Sequence, residues 1–175
     1  MADHVVIFAT SLSPNSRSQI LAREAQRMLE EKKVSVKLID MREGEAPEEG
    51  REGWWSGEVA KNLRAEAAKA THILFAVPIY NYAVSSQSKA LLEQLNAEVL
   101  GGKSVGFLIS AGGNNSYMAV LGFANSLMLD FRCWIVPRFV YATGGEFEGD
   151  VPGQKIKERM ATLMQELFMK VNAPK

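Results

Sequence analysis

The chain has 175 residues, 47% apolar and 23% charged, with twenty Lys and Arg against twenty Asp and Glu. At roughly 100–200 residues per domain this predicts one domain over 1–175, large enough to hold a core without disulfides or a structural metal. The composition excludes a largely disordered chain, and zero net charge gives no pull toward nucleic acid or an acidic membrane. The lone Cys133 leaves no intramolecular disulfide to form. MADHVVIFAT lacks a basic segment and its apolar run is too short for a signal peptide. No stretch reaches the roughly 18 apolar residues of a spanning helix. A soluble cytoplasmic domain is expected.

Two hydrophobic periods alternate along the chain. Residues 4–9, with the run VVIFA, read as a buried strand bounded by the polar stretch 10–18. Over 16–32, Leu21, Ala25, Met28 and Leu29 make one helical face. Val34, Val36 and Leu38 alternate with Ser35 and Lys37, which predicts a half-exposed strand near a sheet edge. Residues 40–57, with four glycines, one proline and six acids, read as a long surface loop carrying Trp54 and Trp55. Those tryptophans suit a lid, a subunit contact or a fold back onto the core.

Val59, Leu63, Ala67 and Ala70 form the next helical stripe. Residues 73–77 (ILFAV) are a buried strand stopped by Pro78, and 87–95 a helix with Leu91, Leu92 and Leu95 on one side. Residues 105–109 are a fourth strand, 117–131 a helix, and 134–136 with 139–141 a fifth strand before a Gly-rich turn. The last helix carries Ile156, Met160, Leu163, Met164, Leu167, Phe168 and Val171. This βα alternation predicts an α/β fold, a five-stranded parallel sheet with helices on both faces and right-handed crossovers. Helix 117–131 is apolar on nearly every face, which fits self-association or a central helix under the 40–57 loop.

In such a sheet the ligand lies at the carboxyl ends of the strands, near the switch point. Three loops leave those ends: 10–18 (TSLSPNSRS), 78–86 (PIYNYAVSS) and 110–117 (SAGGNNSY). The first carries Ser11, Ser13, Ser16 and Ser18 around Arg17 and runs straight into a helix, a phosphate-binding arrangement with more hydroxyls than one helix cap requires. It is neither a Walker loop nor a dinucleotide fingerprint, so a monophosphate cofactor fits best. In the second, Asn81 and backbone groups suit the polar edge of a flat ring shielded by Tyr80 or Tyr82; a plain turn explains it as well. In the third, Gly112 and Gly113 let the backbone approach a ligand, or simply turn the chain into a helix capped by Asn115 or Ser116.

Ser11-Leu-Ser-Pro-Asn-Ser-Arg-Ser18, then Pro78-Ile-Tyr-Asn81 before SKALLEQL, then Gly112-Gly113, resembles the NADPH-dependent FMN reductases over residues 4–145. Within that family the chain is most similar to the reductase components that supply reduced flavin to two-component monooxygenases. The resemblance implies a flavodoxin-like sheet of order 2-1-3-4-5, bound FMN, hydride from NADPH or NADH, and a homodimer or homotetramer. It places Ser11, Ser16, Arg17 and Ser18 on the phosphate, and Pro78, Ile79, Tyr80 and Asn81 on the isoalloxazine. Ser110, Gly112, Gly113 and Asn114 fall on a second flavin loop. Thr10 stands where the family usually has glycine, and AGGNNS differs from other members.

Competing chemistries find less support. His4 and His72 both precede buried strands and read as structural, and no Cys/His spacing suggests a metal. A phosphatase loop needs Cys, five residues, then Arg, whereas Arg138 follows Cys133 after four. A response regulator wants an acid where Pro78 stands. No side chain is required as acid or base, because the flavin carries the hydride chemistry. A quinone or azo reductase of the same fold, and a non-catalytic electron carrier, are the alternatives; a carrier would suit a more acidic chain.

Overall fold

Alternate residues of the first strand go to opposite sides of the sheet, and the packing of the molecule follows from that. A computed structural model describes residues 3–45 and 54–169. In β1 (His4–Ala9), Val5, Ile7 and Ala9 face α1 (Arg17–Glu31) and α6 (Gln154–Leu167). Val6 and Phe8 face the other layer, built by α2 (Glu58–Lys69), α3 (Ser86–Gln94), the short α4 (Ala97–Leu100) and α5 (Leu121–Leu129). From Val5 to Ala9 the strand is fully buried on both faces, as its unbroken apolar run requires.

The remaining strands are β2 (Ser35–Asp40), β3 (His72–Tyr80), β4 (Ala83–Val84), β5 (Ser104–Ala111), β6 (Trp134–Ile135) and β7 (Val140–Thr143). The parallel sheet runs β2-β1-β3-β5-β6, with β7 also on β5 and β4 antiparallel on the end of β3. A separate hairpin joins β8 (Phe147–Glu148) to β9 (Val151–Pro152). The fold is the expected flavodoxin-like one. Its fifth strand is divided: β6 and β7 flank Pro137, which has no N–H for the ladder.

On the α2/α3/α5 side, Phe8, Phe75 and Phe107 stack in a row with centroids 5.5 and 6.1 Å apart, and Phe123 meets Phe75 edge-on at 5.2 Å. On the other side Gly106 lets α6 settle close. A Cβ there would lie 2.9 Å from Leu74 Cδ2 and 3.0 Å from Leu163 Cδ1.

Two expectations are corrected. Pro78 does not stop β3: the strand continues to Tyr80, and Pro78 pairs with Ser110 of β5. The Thr10 amide donates to the Ala76 carbonyl at 3.0 Å, so Ala76 faces β1, and Pro78, two residues on, faces the same side. There β1 has already ended, and the missing N–H costs no ladder bond. The helix expected over 117–131 is likewise divided into a 3₁₀ segment (Asn114–Val120) and α5. Phe123, Ala124 and Leu127 are buried, while Met118, Met128 and Leu129 stay exposed.

The expected 40–57 loop begins as the last residue of β2 and a π-helical turn (Met41–Glu45) and ends in a 3₁₀ turn (Trp54–Ser56). Residues 46–53 lie outside the described residues, as does Val171 of the last helical stripe. Trp55 is exposed. Among the described residues no helix is long and apolar enough to cross a membrane.

Candidate functional site

β1, β3 and β5 are neighbours, so the loops that leave their carboxyl ends meet at one edge. In the first, Ser16 caps α1, its Oγ accepting from the Gln19 amide at 3.3 Å. Ser18 is fully buried with its Oγ 2.9 Å from that of Ser16, and Ser11 Oγ accepts from the Ser13 amide at 3.3 Å. Ser11 and Ser18 thus shape the loop from within. Ser13, Asn15, Ser16 and Arg17 line the cleft beside it.

That cleft, about 160 Å³, is bounded opposite by Pro78, Ile79 and Tyr80 of β3 and by Ser110, Ala111 and Gly112. It far exceeds the roughly 10–15 Å³ that a single water needs. Ile79, Tyr80 and Gly112 also border a second cleft of about 710 Å³, completed by Asn81, Tyr82, Gly113, Asn115 and Ser116. The Tyr80 hydroxyl, 3.5 Å from Ser11 Oγ, stands at the boundary of the two. Asn114 opens the 3₁₀ segment and lines neither.

Each wall has a local cause. Asn81 and Tyr82 have φ of 49° and 63°, and Ile79 and Tyr80 pair with Val84 and Ala83. This is a two-residue hairpin with both central residues left-handed, a type I′ turn. Asparagine takes that conformation readily; a tyrosine held there costs about 1–2 kcal/mol and is presented, 66% exposed, on the rim. In the third loop nothing lies within 4 Å of where a Cβ would be at Gly112 or Gly113, so packing within the chain does not demand glycine there. Gly112 lines both clefts and Gly113 the larger one. Tyr141 anchors this loop: its hydroxyl donates to the Gly113 carbonyl and lies 2.9 Å from Ser116 Oγ.

Behind the clefts lie supports that sequence reading did not find. Thr10 Oγ1 is 2.6 Å from Ser88 Oγ, and Ser85 Oγ donates to the Thr10 carbonyl at 3.2 Å. These buried hydroxyls tie the first loop to the start of α3. On the outer side, Arg42 donates to the Pro14 carbonyl at 3.2 Å and to the Asp40 carboxylate at 2.6 Å. Pattern reading is blind to the Thr10–Ser88, Ser85–Thr10 and Arg42–Pro14 contacts, whose partners lie tens of residues apart in sequence.

Among the described residues that line the two clefts, Arg17 is the cation. Among the described residues Arg17 makes no hydrogen bond or ion pair; its guanidinium lies 5.8 Å from the Phe147 ring. Arg42, by contrast, is neutralised by Asp40. Burial pushes the Cys133 thiol up to about 11, so at neutral pH it carries no thiolate and is no nucleophile. His72 packs edge-on against Phe168 at 4.8 Å, and burial lowers its pKa, as befits a structural histidine.

An unpaired arginine and hydroxyls at one end, a larger cleft with tyrosines and bare glycine backbone at the other: these residues fit a flavin monophosphate. No curated protein sequence matches the chain. An NADH:FMN oxidoreductase (EMOB) in its apo form shares the fold at 17% identity and TM-score 0.79, over 99% of this chain and 92% of that one. So does FerB, a flavoenzyme NAD(P)H:(acceptor) oxidoreductase from Paracoccus denitrificans, at 15% identity and TM-score 0.74, over 95% of this chain and 96% of that one. An NAD(P)H:quinone oxidoreductase from Methanothermobacter marburgensis aligns at 18% identity and TM-score 0.61, over 95% and 96% respectively. The sequence profile of the NADPH-dependent FMN reductases matches residues 4–148, from β1 through the β8 segment. The chain belongs to that family, and its activity is the NAD(P)H-dependent reduction of FMN.

Proposed function

We propose that the smaller cleft takes the FMN phosphate and the larger one the isoalloxazine, with the nicotinamide of NADPH or NADH stacking between Tyr80 and Tyr82 on the open side. The observation that carries this reading is the adjoining pair of clefts, with Arg17 lining the smaller one and unpaired among the described residues. FMN, when bound, supplies the hydride acceptor and the store of two electrons. The chain's own part is to bind and orient. The cap-end amides of α1, the Ser16 hydroxyl and Arg17 meet a dianion with donors and positive potential. Ser110 and the bare backbone of Gly112 and Gly113 allow close approach along one edge of the ring. Ser11 and Ser18 act from behind, by fixing the loop. The flavin-free protein should bind FMN at least tenfold more tightly than riboflavin, a ratio worth about 1.4 kcal/mol. FAD should bind more weakly than FMN, because its adenylate has no glycine fingerprint to sit on. Fluorescence quenching that gives equal affinities for FMN and riboflavin would take the phosphate out of the reading.

Asn81 offers an amide toward the ring but also forms its turn, and glycine separates the two roles because it accepts φ of 49°. Asn81→Gly should slow flavin reduction by NADPH at saturating FMN roughly a hundredfold, the lower end of what loss of a donor aimed at developing charge costs. FMN affinity should hardly move. An unchanged stopped-flow rate would leave Asn81 as a turn former only.

The acceptor of the electrons is a flat or flavin-like molecule, free flavin, a quinone or an azo compound, or else a partner monooxygenase supplied with reduced flavin. The larger cleft and the exposed rings of Tyr80 and Tyr82 favour a planar second substrate. We assign the protein to the cytoplasm, where NAD(P)H is found. We also propose a homodimer or homotetramer through the α5 region, where Met118 and Leu129 are each 62% exposed. Light scattering that returns 19.3 kDa at micromolar concentration would rule this out.

A further inference from the structure

We infer that Gly144 and Phe147, in the segment that follows β7, are positioning residues that hold Arg17 at the phosphate end of the cleft. This rests on the FMN reading above and extends the site to a fourth element. Three observations carry it. First, Arg17 lines the smaller cleft with no hydrogen bond or ion pair among the described residues, so its position is set by packing alone. Second, its guanidinium carbon lies 5.8 Å from the centroid of Phe147, within cation–π range. Third, Gly144 leaves the space that the guanidinium fills. A Cβ at Gly144 would lie 2.9 Å from Arg17 Nη1 and 3.1 Å from Cζ.

The segment is built to be rigid. The Glu146 carboxylate accepts from the Thr143 amide at 2.8 Å and from its hydroxyl at 3.1 Å, closing a capping box over the turn. The same bonds turn Glu146, the acid in this turn, back onto Thr143 and away from pairing with Arg17. The Gly153 amide then donates to the Glu146 carbonyl at 2.8 Å, and Phe147 pairs with Pro152 in the β8–β9 hairpin. An arginine on a flexible stem loses rotamer freedom when it grips an anion, and a shelf that already restricts it reduces that cost. An aromatic face and a glycine supply such a shelf without neutralising the charge. A carboxylate would orient Arg17 equally well but would cancel its attraction for phosphate.

The test titrates FMN and riboflavin into flavin-free wild type, Gly144→Ala, Phe147→Leu and Phe147→Tyr, with a melting temperature for each. In Gly144→Ala the methyl meets only the end of a flexible side chain, so the fold should hold while the guanidinium is displaced. FMN affinity should fall about tenfold, as when a charge-assisted contact is lost. Phe147→Leu should weaken FMN two- to fivefold, what a surface cation–π contact is worth, and Phe147→Tyr should restore it. Riboflavin affinity should stay at the wild-type value throughout. FMN and riboflavin weakening together, or wild-type FMN affinity in Gly144→Ala, would overturn the proposal. Should Gly144→Ala fail to fold, the Phe147 pair decides alone. A wild type that binds riboflavin as tightly as FMN is a separate failure: it removes the phosphate placement itself, and this inference with it.

Discussion

Arg17→Ala lowers FMN affinity by about ten- to hundredfold and leaves riboflavin affinity and the fold nearly unchanged. A charge-assisted contact to phosphate is worth roughly 1.5–3 kcal/mol, which sets the size of the loss. The fold is spared because the arginine side chain is exposed, with the Phe147 ring and Gly144 beside it. Removing a contact of that kind from the surface costs about 0.5–1 kcal/mol, a fall of only a few degrees in a domain of this size. The helix dipole works in the opposite direction, since a cation at the first position of α1 is disfavoured and alanine removes it. The affinity loss should shrink as ionic strength rises, because an exposed charge is screened over about 8–10 Å in ordinary buffer. Calorimetric titration with FMN at two salt concentrations, beside a thermal melt, measures all three effects. A lowered melting temperature with an unchanged dissociation constant would make Arg17 a structural residue.

What pattern reading reaches in this chain is what depends on neighbours in sequence. Buried runs such as 5–9 and 73–77 give the strands, and the stripe from Ile156 to Leu167 gives α6 with its inner face correct. The meeting of the three loops at one edge follows as well, because the carboxyl edge of a parallel sheet is dictated by topology once the strands are known. Pro78 marks one limit. Whether a proline stops a strand depends on which side its missing N–H faces and on how far the neighbouring strand extends, a fact of register and not of composition. The serine-rich loop marks another. Its excess of hydroxyls reads as phosphate ligation, yet Ser18 is matched to Ser16 and Ser11 to the Ser13 amide, so part of the excess maintains the loop. The contact of the segment from Thr143 to Phe147 with Arg17 is hidden for a simpler reason. Only the folded chain brings Phe147 to Arg17.

Asp40→Asn destabilises the protein at neutral pH by about 2–3 kcal/mol, and the deficit closes in acid. The carboxylate is 4% exposed and accepts from Gln19 Nε2 at 2.6 Å, the Arg42 amide at 3.0 Å and Arg42 Nη2 at 2.6 Å. Arg42 in turn grips the Pro14 carbonyl at 3.2 Å, so this one acid joins the end of β2, the first turn of α1 and the 10–18 loop. Burial alone would raise its pKa, but the hydrogen bonds and charge of Arg42, with Arg23 4.0 Å away, together hold it below the ordinary 3.8. A carboxyl with a depressed folded pKa adds stability that is fully present above 3.8 and lost as pH falls through the folded value. Asparagine keeps the shape and one acceptor, yet leaves the Arg42 guanidinium partly buried without its counter-charge. Hydrogen bonds to a charged group account for the 2–3 kcal/mol; the full cost of breaking a buried pair is not reached because Arg42 is 22% exposed. In a domain of this size that is a fall of about 5–10 °C in Tm. The 10–18 loop should loosen with it, weakening FMN and riboflavin together through lost order and not through lost charge, the converse of Arg17→Ala. Melts of both proteins at pH 7 and at several values below pH 4 decide the matter. Wild type should fall toward the variant in acid, because its Asp40 then becomes as neutral as the asparagine. A gap of the same size at every pH would assign the effect to shape and refute the charge, and equal Tm at pH 7 would mean that the Asp40–Arg42 pair adds nothing to the fold.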